Sequence, residues 1–260
     1  MNIFEAIVLG LLQGLTEFLP VSSSGHLEIG KVLFELDKGK NFYFTVAVHG
    51  ATVLSTLVVF RKELLQLVRG VIKFRMNEET IYVLKIIVSM IPIAIVGFLF
   101  REQVEGLYNG NMLLIGLMLI VTSVLLAAGH FSARRERSIG YLDAFIIGIA
   151  QAIAVIPGIS RSGTTISTGM MLGNRKEELA RFSFLMVLIP ILGANFLEIF
   201  SVTEKATVSI SPVVLIAGSL TAFIAGYAAC KWMISIVRKS KMIWFAAYCF
   251  LVGLITIFFL

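Results

Sequence analysis

Two short polar clusters interrupt a sequence that is otherwise apolar, and each carries side chains that can handle phosphate. The first, residues 16–26, reads TEFLPVSSSGH and contains a carboxylate, three consecutive serines and a histidine. The second, residues 157–165, reads PGISRSGTT and contains one arginine flanked by serines. Hydroxyl and imidazole groups serve nucleophilic and acid–base steps, and a guanidinium binds phosphate oxygens in pairs. A serine before a helix is also a frequent N-cap, so no single serine identifies a site.

Arg161 is the one arginine deep in an apolar segment, and it predicts an anion site. An arginine in a membrane costs at least about 2.5–3.5 kcal/mol unless it is paired. Its partner is either a phosphate, which suits the guanidinium fork, or Glu17, in an internal ion pair. Glu17 and a phosphate would repel each other unless a hard divalent cation, Mg²⁺ or Ca²⁺, lay between them. Gln13, one helical turn before Glu17, can offer such a cation a carbonyl oxygen.

Each cluster precedes a predicted helix, and the first turn of a helix suits phosphate. It presents unpaired N–H groups and the positive end of the helix dipole. We therefore expect phosphate to be bound by the small polar residues of both clusters together with the arginine: Ser22, Ser24, Gly25, Ser160, Arg161, Ser162, Gly163 and Thr165.

The elements that position these clusters are membrane helices. Hydrophobic residues make up 58% of the 260 residues, charged residues make up 15%, and the mean hydropathy is +0.93. Soluble domains carry about 25% charged residues. Six stretches approach the roughly 20 apolar residues that cross a bilayer: 44–60, 81–100, 112–130, 182–201, 212–230 and 242–260. We therefore predict one all-α integral membrane domain over residues 1–260.

The two clusters belong to an internal repeat. At a constant offset of 138 residues, matching residues recur: Gly10 and Gly148, Gln13 and Gln151, Ser22 and Ser160, Ser24 and Ser162, Gly25 and Gly163, Phe44 and Phe182. We predict repeats over residues 1–130 and 141–260. Each begins with an interrupted segment, 3–35 or 141–174, followed by three full spans. The predicted fold is six transmembrane helices plus two re-entrant broken-helix hairpins in an inverted-topology repeat.

The basic residues orient this arrangement. Fifteen of the 22 lysines and arginines lie in loops on one side of the predicted membrane, and five lie on the other. Loops rich in Lys and Arg face the cytoplasm, so both termini and the first interrupted segment should open to the outside, and the second to the cytoplasm. The two breaks should then meet near the midplane and line a cavity. The positive charge is mainly a topology signal, with attraction to anionic lipid as a secondary effect, and requires no nucleic-acid partner.

The two clusters closely resemble the signature segments of the undecaprenyl-pyrophosphate phosphatases, the bacitracin-resistance protein family. The resemblance covers essentially the whole chain. It implies removal of the terminal phosphate from a C55 isoprenyl diphosphate, which regenerates the lipid carrier of cell-wall synthesis and confers bacitracin resistance. It also implies a divalent cation and a site at the outer face of the bacterial cytoplasmic membrane. The motif residues are Gln13, Glu17, Ser22, Ser23, His26, Pro157, Gly158, Ser160, Arg161, Ser162 and Thr165.

The resemblance leads to expected roles for single residues. Glu17, Ser23, His26 and Arg161 are the expected catalytic residues, with either Ser23 or a water as nucleophile and His26 transferring protons. Gln13 and Glu17 are expected to hold the cation. Many family members carry Glu where this chain has Gln13, so one negative charge is missing here. A further histidine in the first full span, at position 49, is either a second polar contact or a buried histidine between helices.

A second class of function is open on the sequence alone. Inverted repeats with broken helices also build transporters, so a lipid-phosphate flippase or small-anion transporter would use the same architecture. Glu17 with His26 and a dedicated cation site favour hydrolysis, because a flippase needs neither. The expected partners are the polyprenyl diphosphate and membrane lipid, and the sequence leaves open whether two chains form a homodimer.

Overall fold

The computed structural model describes residues 1–36, 42–108, 110–132, 135–201, 210–238 and 242–260. These residues form twelve α-helices and no β-strand, apart from one isolated bridge between Arg137 and Asn174. The prediction of an all-α chain is confirmed. In chain order the helices are α1 (Ile3–Phe18), α2 (Ser23–Leu33), α3 (Phe42–Val59), α4 (Arg61–Val71), α5 (Glu78–Leu99), α6 (Arg101–Leu107), α7 (Met112–Phe131), α8 (Tyr141–Ile153), α9 (Arg161–Met171), α10 (Lys176–Ser201), α11 (Pro212–Arg238) and α12 (Met242–Phe259).

Several of these helices are long and apolar enough to cross a membrane, so the chain is an integral membrane protein. Within the described ranges, α5, α7, α11 and α12 qualify by length and composition, and α3 with α4 qualifies as a fifth, bent by 71°. The predicted stretches 44–60 and 182–201 coincide with α3 and α10. Six basic residues used for the topology prediction lie outside the described residues: Lys38, Lys40, Arg134, Lys205, Lys239 and Lys241.

Glycines allow three helix pairs to pack with their backbones in contact. A Cβ at Gly10 on α1 would overlap the carbonyl of Gly218 on α11, and one at Gly148 on α8 would overlap a carbonyl of α5. A Cβ at Gly116 on α7 would lie 2.8 Å from the carbonyl oxygen of Gly253 on α12, and the converse distance is also 2.8 Å. Small residues at such crossings are typical of membrane helices, which associate through close packing. These contacts fix α1 and α8, the helices that lead into the polar clusters.

The two polar clusters are breaks between helices. Residues 19–22 separate α1 from α2, and residues 154–160 separate α8 from α9. Gly158 has a φ of 95°, which a residue without a Cβ adopts at no steric cost. Ser22 has a φ of 71°, in the left-handed region that L residues rarely adopt. This conformation costs on the order of 1–3 kcal/mol, so contacts around Ser22 must hold it in place.

Candidate active site

Each break ends in a serine that caps the following helix. Ser22 Oγ accepts a hydrogen bond from the backbone N–H of Gly25 at 3.3 Å, and Ser160 Oγ accepts one from the N–H of Gly163 at 3.1 Å. N-capping, one of the roles open to these serines, is therefore observed for both. The caps satisfy the third N–H of α2 and of α9. The first two N–H groups of each helix have no intrahelical acceptor and are free to donate to an anion.

The two breaks lie against each other, as the repeat predicts. A Cβ at Gly25 would lie 3.2 Å from the Cα of Gly158, and one at Gly163 would lie 3.2 Å from the Cβ of Pro20. Glycine at these positions lets the start of each helix approach the other break closely. Hydrogen-bond donors from both halves of the chain are thereby brought together where the two breaks, residues 19–22 and 154–160, meet; we call this contact the junction.

Glu17 is the residue at which the two halves of the site join. Arg161 Nη2 donates to Glu17 Oε1 at 2.9 Å, Ser23 Oγ donates to Oε2 at 2.6 Å, and Gln13 Nε2 donates to Oε2 at 2.9 Å. Four of the predicted residues are thus brought together across 144 positions of sequence. Of the two partners open to Arg161, this structure contains the carboxylate.

The Arg161 guanidinium keeps the capacity to bind an anion. Its side chain is 27% exposed, whereas that of Glu17 is only 7% exposed. A guanidinium carries five N–H donors, and its one hydrogen bond to a described residue is the bond to Glu17. The remaining N–H groups can therefore reach a phosphate.

His26 is held through both ring nitrogens. Nδ1 lies 2.8 Å from the carbonyl oxygen of Ser22, and Nε2 lies 2.9 Å from the hydroxyl of Tyr248 on α12. A carbonyl oxygen only accepts, so we assign the proton to Nδ1, and Nε2 of the neutral ring accepts from Tyr248. The rings are stacked, with centroids 5.5 Å apart and planes 9° apart. His26 therefore supports the strained Ser22 turn, and its described hydrogen bonds include none to Ser23 or Glu17.

Three other predicted phosphate ligands are hydrogen-bonded within the clusters. Ser24 Oγ lies 3.3 Å from Ser22 Oγ, and Ser162 Oγ donates to the carbonyl oxygen of Leu19 at 3.4 Å, across the junction. Thr165 is fully buried, and its hydroxyl donates to a carbonyl one turn earlier in α9 at 2.9 Å. The Ser162 and Thr165 hydroxyls would have to leave their present carbonyl acceptors to donate to phosphate.

Two residues outside the motifs support the second break. Thr122, buried on α7, accepts a hydrogen bond from the N–H of Ser160 at 3.0 Å and lies 3.1 Å from the carbonyl oxygen of Gly158. Tyr108, between α6 and α7, donates to the carbonyl oxygen of Val155 at 2.9 Å. Neither residue could be predicted from the sequence, because neither belongs to a polar cluster or to the matching positions of the repeat.

His49 on α3 is a polar neighbour of the junction. Its Nδ1 lies 2.9 Å from the carbonyl oxygen of Thr45, and the charges of Glu17 and Arg161 act on the ring. The hydrogen bond of the His49 ring to a described residue is within α3, so His49 is a neighbour of the charged pair and not a member of its described hydrogen-bond network.

A small cavity of about 20 Å³ lies beside the ion pair, which is room for about one water. The hydroxyl-bearing residues Thr52, Thr56 and Ser162 line it together with Glu17 and Arg161. Its other walls are apolar side chains of α1, α3 and α10. A polar end with apolar walls suits a phosphate attached to a hydrocarbon chain, and a diphosphate requires the cavity to widen.

The residues present fit a divalent cation with two protein ligands. Gln13 Oε1 is buried without a hydrogen-bond partner, which is uncommon for an amide oxygen. The Nε2 of the same Gln13 side chain donates to Glu17, so Gln13 and Glu17 are close enough to offer oxygen ligands to one cation. The part of the chain that the structure describes contains no cluster of three or more His, Cys, Asp or Glu side chains. The remaining ligands would therefore be phosphate oxygens and water.

The chain is similar to known proteins along its whole length. The family model described as Bacitracin resistance protein BacA matches residues 6–255. An undecaprenyl-diphosphatase of Parabacteroides distasonis is 52% identical over 260 residues, covering 99% of this chain and 98% of the relative. One of Christiangramia forsetii is 53% identical over 262 residues, covering 100% and 98%. One of Methanococcus vannielii is 39% identical over 260 residues, covering 98% and 100%. With its two breaks joined at Glu17, the chain belongs to the bacitracin resistance protein BacA family.

Proposed function

We propose that this protein hydrolyses undecaprenyl diphosphate to undecaprenyl phosphate and inorganic phosphate. The observation that carries the proposal is the contact at Glu17, where the carboxylate and Ser23 hydroxyl of one break meet the Arg161 guanidinium of the other. Relatives similar over the full length are named undecaprenyl-diphosphatase. The product is the lipid carrier reused in cell-wall synthesis, and its recycling confers bacitracin resistance.

The terminal phosphate binds at the junction of the two breaks. The free N–H groups of Arg161 turn towards the phosphate oxygens. In the productive state the whole guanidinium leaves Glu17 and binds the phosphate oxygens. The unpaired N–H groups at the starts of α2 and α9 belong to Ser23, Ser24, Arg161 and Ser162, and they add fixed donors. Donors held in place before the reaction stabilise charge that develops in the transition state.

Ser23 is the nucleophile that the geometry favours. Its hydroxyl already donates to Glu17 Oε2 at 2.6 Å, so the carboxylate is placed to accept the proton. Ser23 Oγ attacks the terminal phosphorus, its proton passes to Glu17, and the bond to the bridging oxygen breaks, leaving lipid monophosphate. Water then cleaves the phosphoserine and releases phosphate. His26 acts by holding the Ser22 turn, and direct attack by water is the alternative to Ser23.

A divalent cation, Mg²⁺ or Ca²⁺, would supply charge neutralisation for the diphosphate when it is bound by Glu17 and Gln13. The orphaned Gln13 Oε1 supports this assignment. Because Gln13 is neutral, Glu17 alone provides protein negative charge there, and we expect weaker cation binding than two carboxylates would give.

The proposed architecture is an inverted repeat of six spans and two re-entrant hairpins. Helices α2 and α9 are both 11 residues long, begin 138 positions apart, and carry the same serine cap. Contacts also occur in matching pairs, since α1 packs on α11 while α8 packs on α5. Gly116 and Gly253 meet reciprocally, as residues related by a two-fold axis do. We take residues 1–130 and 141–260 as the repeats.

The proposed location is the bacterial cytoplasmic membrane, with the site open to the outer face and both termini outside. The unequal distribution of Lys and Arg between the two sides supports this orientation. The prenyl tail would stay in lipid or along the apolar walls beside the ion pair.

The test is phosphate release from C55 isoprenyl diphosphate by the purified chain in detergent. Detergent removes the two sides of the membrane, so a transporter without hydrolytic activity releases no phosphate. We expect release that EDTA abolishes and that Mg²⁺ or Ca²⁺ restores. No release under any cation would contradict hydrolysis and favour the lipid-phosphate flippase or small-anion transporter, which the paired helix contacts also suit.

A further inference from the structure

A groove of about 340 Å³ lies between α4 and the beginning of α5, and it shares no lining residue with the cavity at Glu17. Helix α4 leaves α3 at an angle of 71°, immediately after an apolar helix. It therefore runs across the direction of α3, as a helix at a membrane surface does. The residues that line the groove belong to neither polar cluster.

One apolar side of helix α4 packs against the protein, and a second apolar side is exposed among the described residues. Leu64 and Leu67 pack against the protein core. Leu65, Val68 and Ile72 follow one another at helical spacing and are 54%, 54% and 62% exposed. An exposed apolar stripe beside a membrane span has acyl chains as its natural neighbours.

A basic stripe runs beside the apolar one and lines the groove. Lys62, Arg69 and Lys73 fall on one side of the helical turn together with Gln66, and all four are exposed. None of the three cations makes an ion pair with a described residue. The one acidic residue of the groove, Glu79, accepts a hydrogen bond from Gln66 Nε2 at 3.1 Å. The net charge of the groove is therefore positive.

Contacts between the end of α4 and the beginning of α5 hold the shape of the groove. Asn77 Nδ2 donates to the carbonyl oxygen of Gly70 at 2.9 Å, and Asn77 Oδ1 caps α5 by accepting from Thr80 N–H at 2.8 Å. Gly70 also packs directly against the side chain of Glu79, where a Cβ would overlap it. The end of α4 is thus held against the beginning of α5, and the basic stripe has a fixed position.

We propose that α4 lies in the membrane interface and that its groove binds the headgroup of an anionic phospholipid. Basic side chains attract a phosphate-bearing headgroup, and the adjacent stripe of Leu65, Val68 and Ile72 contacts its acyl chains. A soluble anion would use the basic stripe alone, and an uncharged lipid would use the apolar stripe alone. Only an anionic lipid uses both.

The test compares lipid binding by purified full-length variants in detergent, using native mass spectrometry with dioleoyl phosphatidylglycerol and dioleoyl phosphatidylcholine. The test variant carries K62Q, R69Q and K73Q. The matched control carries R61Q, R75Q and K231Q, which removes the same charge from residues that do not line the groove. Each basic residue near an anionic headgroup contributes roughly fivefold in affinity, so the test variant should bind phosphatidylglycerol at least about tenfold more weakly. Its phosphatidylcholine binding and its phosphate release should stay unchanged, which shows that it is folded.

Three results would overturn the headgroup site, two from the lipid-binding comparison and one from competition with inorganic phosphate. The first is an unchanged preference for phosphatidylglycerol in the test variant. The second is an equal loss in the control, which would show that total charge governs binding. Inorganic phosphate at millimolar concentration should displace less than half of the bound phosphatidylglycerol, and complete displacement would mean that the groove binds only the anion.

Discussion

Replacing Arg161 with glutamine should destabilise the protein more than replacing both members of its ion pair. The single change leaves Glu17 charged, 7% exposed and without a cation. Removing one partner of a buried pair costs about 3–5 kcal/mol. Ser23 and Gln13 still donate to the carboxylate, so we expect the lower end, about 3 kcal/mol.

The double variant Glu17→Gln with Arg161→Gln leaves no buried charge at the junction. Two neutral amides that can hydrogen-bond replace the pair, and we expect a loss of about 1 kcal/mol. The difference of about 2 kcal/mol corresponds to roughly 4–8 °C in Tm for a chain of this size. Both variants should lose phosphate release, because the phosphate clamp is gone in each.

Thermal unfolding followed by circular dichroism in detergent measures this difference. A matched control is Arg181→Gln, which breaks an ion pair with Glu63 in which the arginine side chain is 56% exposed. Exposed pairs contribute little, so its Tm should change by less than about 2 °C. If Arg161→Gln unfolds at the same temperature as the double variant or above it, the buried Glu17 carboxylate does not need Arg161 for its stability, which contradicts this prediction.

Three further predictions concern single residues of the site. Ser23→Ala should abolish phosphate release and any trapped phosphoserine, whereas Ser24→Ala should keep at least about a tenth of the rate; a phosphoserine trapped in Ser23→Ala would show that another serine is the nucleophile. Tyr248→Phe removes one hydrogen bond from His26, which is worth about 1 kcal/mol, so kcat should fall about fivefold with KM unchanged. Equal changes in kcat and KM would argue against a positioning role for Tyr248. Gln13→Glu adds a carboxylate, so half-maximal activity in a Mg²⁺ titration should need about tenfold less cation, and an unchanged midpoint would remove Gln13 from the cation site.

The meeting of the two breaks could be predicted from the sequence because it rests on a repeat. The same spacing that places Ser160 138 residues after Ser22 predicts two similar helix starts, and in both the serine side chain accepts a hydrogen bond from the third backbone N–H of the helix. Glu17 and Arg161 could be selected because a charge in an apolar segment needs a partner. The residue types alone could not show whether Arg161 pairs with Glu17 or with a phosphate, because either arrangement satisfies both charges.

The supporting residues could not be predicted, because they carry no local pattern. Tyr248 reaches His26 across 222 positions, and it is one aromatic residue in an apolar helix. In the sequence, Thr122 cannot be distinguished from a threonine that only packs between helices, and its contact with Ser160 is known from the structure alone. The sequence also could not show that His26 is hydrogen-bonded through both ring nitrogens, to Ser22 and to Tyr248.

In the proposed mechanism, Arg161 is brought from the second break to Glu17 in the first and is the group that makes phosphate release fast. The direct measurement is kcat for phosphate release from C55 isoprenyl diphosphate by Arg161→Gln and by the unchanged chain, at saturating Mg²⁺ and below the Tm of both. A transition-state clamp of this kind is worth about 10³-fold or more, and we expect at least that loss. If the variant retains kcat within tenfold of the unchanged chain, Arg161 is not the group that makes phosphate release fast.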